Sequence, residues 1–436
     1  MTKKIAIFWF RRDLRFDDNA GLLAALQGVD PVLPIFIFDT EILDKLPIQD
    51  ARVTFIHETL RNMQGLLQKN FDGTIALYCG KPIEIFEGLK KRFDIQGVYA
   101  NQDYEPYAIK RDDELRKWLT TQGIPFNTFK DQVVFEKNEV VKGDGDPYVV
   151  YTPYKNKWKE LFHPVVQLAQ QPSEDRLNNV LKNEGLPDLS LHDIGFEPSN
   201  IKVPAYRITP DLINNYERTR NFPGVAEGTS RLGPHLRFGT VSVRKIMKLA
   251  IAEKNETFWN ELIWREFFMQ ILWHFPETVK NAFKPKYDRI VWRNNEEEFE
   301  KWKNGTTGYE LVDAGMRELN ATGYMHNRVR MLTASFLCKH LLIDWRWGET
   351  YFAEKLLDYE LSSNVGNWQW AAGSGVDAAP YFRIFNPMTQ VDKFDAQKDY
   401  ISKWIPELGK ADYPEKMVDH KLARERCLEV YKEAVG

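Results

Sequence analysis

Between Leu357 and Pro387 the chain reads LDYELSSNVGNWQWAAGSGVDAAPYFRIFNP. Two carboxylates, Asp358 and Glu360, precede Asn364, Asn367 and the triplet Trp368-Gln369-Trp370. Small residues from Ala371 to Gly375 follow. A glycine-rich loop of this kind lets a large flat group approach the backbone, because no side chain blocks it. Two tryptophans one residue apart cannot share a helical face, so they should face different partners. Carboxylates, amides and indoles this close together suit a site for a planar, polar ligand.

Three further stretches carry groups of the same kind. In GTSRLG, residues 228–233, the hydroxyls of Thr229 and Ser230, backbone N–H groups and Arg231 suit a phosphate or pyrophosphate ahead of a helix. In NELIWREFF, Glu261, Trp264, Arg265 and Phe268 share a helical face, where a charge is costly unless paired. An internal Glu261–Arg265 ion pair is the plainest use of that spacing. In YMHNRVRM, Asn327, Arg330 and Met331 share a face, and Arg328 points elsewhere. The eight histidines are dispersed, and no His or Cys stands at ligand spacing to the carboxylates, so no metal is expected. No serine or cysteine sits in a nucleophile motif.

The elements that must position these groups follow from the apolar pattern. KIAIFWF (4–10) and VLPIFIF (32–38) are continuous apolar runs, as in strands buried on both faces. Strands at 74–79, 97–100 and 125–129 alternate with helices at 51–70, 82–93 and 108–122. This predicts a parallel α/β sheet domain, Rossmann-like, over residues 1–130. Its first turn, RRDLRFDDN, lacks the glycine fingerprint for a dinucleotide. Arg11, Arg12 and Arg15 are expected in salt bridges or solvent. Residues 131–200 are rich in turn formers and read as a long linker with one short helix near 153–162. Beyond 200 the spacing is helical, at 209–220, 240–254, 256–274, 308–320, 326–342 and 348–358, which predicts an all-α domain over 201–436.

Of 13 tryptophans, only Trp9, Trp118 and Trp158 precede residue 200, so the two halves should do different work. The net charge of −3 does not announce a nucleic-acid partner; a local basic face would be needed. Cys79, Cys338 and Cys427 are too scattered for a disulfide framework. No apolar run reaches the length of a membrane span or a signal segment, so the chain is expected in the cytoplasm, as a monomer.

GTSRLG, NELIWREFF, TGYMHNRVRM, DWRWGETYF and NWQWAAGSGVDAAPYFRIFNP together resemble the cryptochrome/photolyase family, and most of all a class I cyclobutane pyrimidine dimer (CPD) DNA photolyase. The similarity runs from FWFRRDLRFDDN to the 380s. It implies an α/β domain, a long linker and a helical domain that holds one non-covalent FAD folded back on itself. Tyr216, Thr229, Ser230, Arg231 and Leu232 would line its phosphate and ribityl region. Phe258, Glu261, Arg265, Asn327, Arg330, Asp358, Glu360 and Asn364 would surround the flavin and adenine, with Asn364 beside flavin N5. Phe258 stands where some relatives have Trp, and Glu360 where Asp is common.

The implied partner is UV-damaged DNA. Trp264 and Trp370 would sandwich a flipped-out dimer, with Glu261, Asn327 and Met331 as further contacts. Arg220, Arg328, Arg383 and Lys393 would meet phosphates. Trp368, Trp345 and Trp292 match a chain of indoles that photoreduces FAD from the surface. The implied activity is light-driven electron transfer from reduced FAD to the dimer, with Glu261 stabilising the dimer's radical anion. A 6-4 photolyase would carry His in place of Asn327. A cryptochrome photoreceptor is disfavoured by Trp264, Met331, Asn364 and a chain that ends at Gly436. Tyr107 and Ala108 replace the Asn-Glu pair of folate-binding relatives, leaving folate, deazaflavin, flavin or no antenna chromophore as alternatives.

Overall fold

The computed structural model describes residues 2–182 and 185–436. They form two compact units, each built from separate stretches of chain. One comprises Met1–Glu139, Leu161–Ala205 and Leu232–Ala252; the other comprises Val140–Glu160, Tyr206–Arg231 and Glu253–Gly436.

The first unit holds a five-stranded parallel sheet. Its strands are β1 (Lys3–Phe10), β2 (Val32–Asp39), β3 (Ala76–Gly80), β4 (Phe93–Asn101) and β5 (Phe126–Phe129), in the order β3-β2-β1-β4-β5. Central β1 is buried from Ile5 through Phe10, as a continuous apolar run between helical layers must be. The chain reverses direction across the sheet between β1 and β4, which opens a crevice at the strands' carboxyl ends. The RRDLRFDDN turn sits there, and its arginines are paired. Arg11 forks onto Asp112, Arg12 meets Asp103 and Glu105 at 3.1 Å, and Arg15 meets Asp131 at 2.7 Å. Against the upward push of desolvation, neighbouring guanidinium groups hold the half-buried Asp103 carboxyl well below its ordinary range.

The partition differs from boundaries at 130 and 200. Residues 232–252, expected in the helical domain, belong with the sheet, where Arg244 pairs with Asp18 at 3.1 Å and with Asp131 at 2.8 Å. The stretch 161–205 also returns to the sheet: Leu181 N–H donates to the Val32 carbonyl at 2.7 Å. Ion pairs and a backbone hydrogen bond between residues far apart in sequence tie these stretches to the sheet, and periodicity does not register them.

The second unit is helical. Its core gathers Trp302, Tyr309, Phe336, Trp345, Phe352 and Trp368. The expected 326–342 helix is α-helical over Asn327–Ser335 and then widens into a π turn, Phe336–His340, in which all five residues are buried. The largest departure is Leu361–Ala372, expected as part of a glycine-containing loop and found as a helix. It shows no single apolar stripe because Ser362, Asn364, Val365, Trp368, Gln369 and Ala371 are all buried. Gly366 is tolerated mid-helix because a Cβ there would land within the Phe268 ring's contact distance. Among the described residues, no helix is long and apolar enough to cross a membrane, and no group of three His, Cys, Asp or Glu could hold a metal.

Candidate functional site

A pocket of about 620 Å³, counting its open mouth, lies in the helical unit. Asn327, Arg330, Met331, Asp358, Glu360, Asn364, Trp368 and Trp370 all line it, with Ser363, Asn367 and Phe352. The Asn327–Ser335 helix supplies the first three at i, i+3 and i+4, as the spacing required. The guanidinium of Arg330 forks onto Asp358 at 2.9 and 3.1 Å. Trp368 is buried against Phe352, with ring centroids 5.0 Å apart, and half-buried Trp370 leaves the same helix on another side.

Asn364 has a partner that sequence reasoning missed. Its amide nitrogen donates to the Glu349 backbone carbonyl at 3.0 Å and to Glu349 Oε1 at 2.8 Å. A backbone carbonyl can only accept, so the amide nitrogen must face it, and the amide oxygen is the group left for the cavity. Burial pushes the Glu349 carboxyl up, and the Asn364 amide pulls it back in part. The only sequence signal for Glu349 was a carboxylate inside an aromatic-rich stretch, DWRWGETYF.

Helix Trp345–Lys355 approaches the Trp368 ring through Gly348, where a Cβ would lie well inside the indole's contact distance. Gly348→Ala should therefore cost about 1–3 kcal/mol by overpacking. Urea unfolding of the two proteins measures it, and an unchanged midpoint would refute the close approach.

A second cluster surrounds the Thr257–His274 helix. Glu261 pairs with Arg220, and Arg265 reaches Glu360 at 3.1 Å. Both residues thus reach across to other elements, where the sequence suggested a pair along one helix. Burial pushes the Glu261 carboxyl up, against the pull of Arg220. Tyr216 sets its ring edge-on to Phe258 at 5.2 Å. Trp264 does not line the pocket; it stacks on Tyr151, with centroids 3.5 Å apart and planes 9° from parallel. Thr229 and Ser230 precede Arg231, whose backbone is left-handed (φ 55°) and whose guanidinium lies 4.0 Å over the Tyr324 ring. Neither hydroxyl has a hydrogen-bond partner among the described residues. Leu232 is buried and belongs to the sheet unit, at the start of the Gly233–Phe238 helix.

Of the expected phosphate contacts, Arg328 donates to Asn221 Oδ1 at 2.6 Å and lies 4.3 Å over the Phe394 ring. Lys393 lies 5.3 Å over the same ring. Arg383 is exposed, and its carbonyl accepts from the buried Lys339 ammonium at 2.9 Å. Trp345 is buried in the same core as Trp368, and Trp292 packs half-buried against that core.

His326 caps the pocket helix: its Nδ1 accepts from the Arg328 N–H at 3.1 Å. Burial, then Arg231, Arg330 and Arg328, push its pKa from 6.5 to about 3. Between those values the unfolded chain binds the proton and the folded one does not. Stability should therefore fall as pH drops from about 6.5 toward 3, by about 1.4 kcal/mol per pH unit from this residue. His326→Asn keeps an acceptor at the cap and should flatten that slope in urea titrations at pH 7 and pH 5; equal slopes would contradict the assignment.

These residues fit a flavin dinucleotide. The pocket is of cofactor size, and its walls set a forked Arg330–Asp358 pair, an amide oxygen and the Arg265–Glu360 pair around an apolar floor. The unpartnered hydroxyls of Thr229 and Ser230 beside a cationic side chain suit its phosphates.

Comparison with known proteins agrees. Residues 6–173 match the DNA photolyase domain, and residues 258–412 match the FAD binding domain of DNA photolyase. The deoxyribodipyrimidine photo-lyase of Halobacterium salinarum is 35% identical over 483 residues, covering 99% of both chains. The crystal structure of a bacterial class III photolyase from Agrobacterium tumefaciens aligns with a TM-score of 0.88 at 33% identity, covering 100% of this chain and 98% of that one. An archaeal photolyase from Sulfolobus tokodaii, solved with two FAD molecules, aligns with a TM-score of 0.82 at 33% identity, covering 98% and 100%. The chain belongs to the DNA photolyase family.

Proposed function

We propose that this protein is a deoxyribodipyrimidine photo-lyase, which uses light to split cyclobutane pyrimidine dimers in DNA. The observation that carries the reading is the single pocket that Arg330, Asp358, Glu360, Asn364, Trp368 and Trp370 line together, from elements scattered through the helical unit. When bound, FAD supplies the light absorption and the electron that opens the cyclobutane ring, and takes that electron back. Arg330, Asp358, Arg265, Glu360 and Asn364 would hold its rings; Tyr216, Thr229, Ser230, Arg231 and Phe258 would hold the rest. The Asn364 oxygen, turned to the cavity because the amide nitrogen is held by Glu349, would accept a hydrogen bond and so would favour a protonated form of the cofactor there.

Trp264 and Trp370 stack the flipped bases, and Asn327 and Met331 complete that wall. Glu261, its carboxyl raised by burial against the pull of Arg220, would contact the dimer and stabilise its radical anion. Arg220, Arg328, Arg383 and Lys393 bind the flanking phosphates, and Asn221 and Phe394 steady Arg328. Trp368, Trp345 and Trp292 carry electrons from the half-buried end of the chain to the pocket wall.

Any second chromophore, whether flavin, deazaflavin or folate, would belong to the sheet unit. A hollow of about 700 Å³, open mouth included, lies there among Glu41, Lys81, Tyr107, Lys110 and Arg111. Tyr107 donates to Asp39 at 2.6 Å beside it. The protein works in the cytoplasm, a reading supported by the free thiols of Cys79, Cys338 and Cys427, and acts as a monomer.

Blue light should repair an oligonucleotide with one thymine cyclobutane dimer when reduced, FAD-replete protein is present. The dark control and a 6-4-lesion substrate should show no repair. Absence of dimer repair under these conditions would sink the reading. Mass analysis of the released chromophores identifies the antenna.

A further inference from the structure

Resting on the reading of Trp264 as a lesion wall, we infer that Tyr151 is a positioning residue for lesion recognition: a fixed aromatic plate behind Trp264 that sets the indole's plane and leaves its opposite face to the damaged bases. The two rings lie 3.5 Å apart and 9° from parallel, so Tyr151 covers one indole face at van der Waals distance. Phe267 meets the indole edge-on at 5.6 Å, and Phe268 lies 5.6 Å from it with its plane tilted by 27°. An indole pinned on one side keeps fewer orientations to lose when a base stacks on the other, and that preorganisation strengthens binding without a new contact to DNA.

Tyr151 is built to stay in place. It is buried, and its hydroxyl donates to the Asn260 carbonyl at 2.8 Å. Its helix, Tyr151–Leu161, is bolted to the helix of Trp264 further along. Trp158 Nε1 donates to Glu266 Oε2 at 2.6 Å, and Tyr154 packs its ring 5.3 Å from Phe267. A side chain held this way acts as a backing plate. A removable plug in the lesion's place would need to leave.

The test is equilibrium binding in the dark of FAD-loaded, full-length protein to a fluorescent oligonucleotide with one thymine cyclobutane dimer, beside its undamaged twin. FAD content and thermal midpoint are recorded for each variant. Trp264→Ala should weaken dimer binding. Tyr151→Leu should weaken it about two- to tenfold, the range of one aromatic pair, and leave undamaged DNA binding unchanged. Tyr151→Phe, which keeps the ring, should bind like the parent. In the Trp264→Ala background Tyr151→Leu should cost nothing more, because the plate acts only through the indole. If Tyr151→Leu loses FAD, Tyr151→Met carries the same comparison.

The proposal is overturned if Trp264→Ala weakens binding and Tyr151→Leu does not. Equal loss with and without Trp264 also overturns it, since that marks a merely structural residue. Tighter dimer binding by Tyr151→Leu would mean that Tyr151 occupies the lesion's place. If Trp264→Ala itself leaves dimer affinity unchanged, the lesion-wall reading fails, and this proposal fails with it.

Discussion

Arg265→Leu is expected to empty the cofactor pocket and to lower stability by about 3–5 kcal/mol, the usual cost of breaking a buried ion pair from one side. Glu360 is 6% exposed, and Arg265 reaches it at 3.1 Å. Removing the guanidinium takes away the cation that neutralises a carboxylate in the pocket wall. The carboxylate must then take up a proton or draw in water, and either change alters the surface offered to a flavin. Arg265 also joins the Thr257–His274 helix to the segment before Leu361–Ala372, so the loss spreads to the position of Asn364. Purified Arg265→Leu should show a reduced ratio of flavin absorbance to protein and a lower urea midpoint. Arg265→Lys keeps the charge without the planar fork and should fall between. A variant with full FAD and an unchanged midpoint would show that this pair does not organise the pocket.

Trp292→Phe is expected to remove most light-driven reduction of oxidised FAD while sparing repair by chemically reduced enzyme. Trp368 and Trp345 are buried in one core, and Trp292 packs against it half-buried, so only Trp292 of the three is placed to exchange electrons with a donor in solution. Phenylalanine keeps an aromatic ring against Tyr431, which Trp292 meets edge-on at 6.1 Å, so the fold should not suffer. Phenylalanine is far harder to oxidise than tryptophan, and this alone should interrupt the chain. Flavin absorbance under blue light with an external thiol follows the reduction, and a dithionite-reduced sample assays repair. Photoreduction at the parental rate would exclude an essential role for Trp292. Loss of both activities would place it in the catalytic pocket.

Each expected effect depends on pairings of different legibility. The faces shared by Asn327, Arg330 and Met331 were readable because three- and four-residue spacing fixes neighbours on any helix. The partner of Asn364 was not, because Glu349 stands 15 residues away on another helix. The Glu261 and Arg265 ion pairs show the same limit. Their spacing allowed a pair along one helix, and burial favoured partners across helices, Arg220 and Glu360.

By itself the amino-acid order determined the parallel sheet, the helical second half and the chemistry of the groups near Asp358 and Trp370. These follow from short-range geometry: the period of a strand or helix, and the cost of burying an unpaired charge. Tertiary structure alone decided that Leu361–Ala372 is a helix and that residues 232–252 belong with the sheet. It also turned one face of Trp264 toward Tyr151. A helix packed on several sides loses its apolar stripe, and an ion pair or a stack joins residues whose distance along the chain carries no signal.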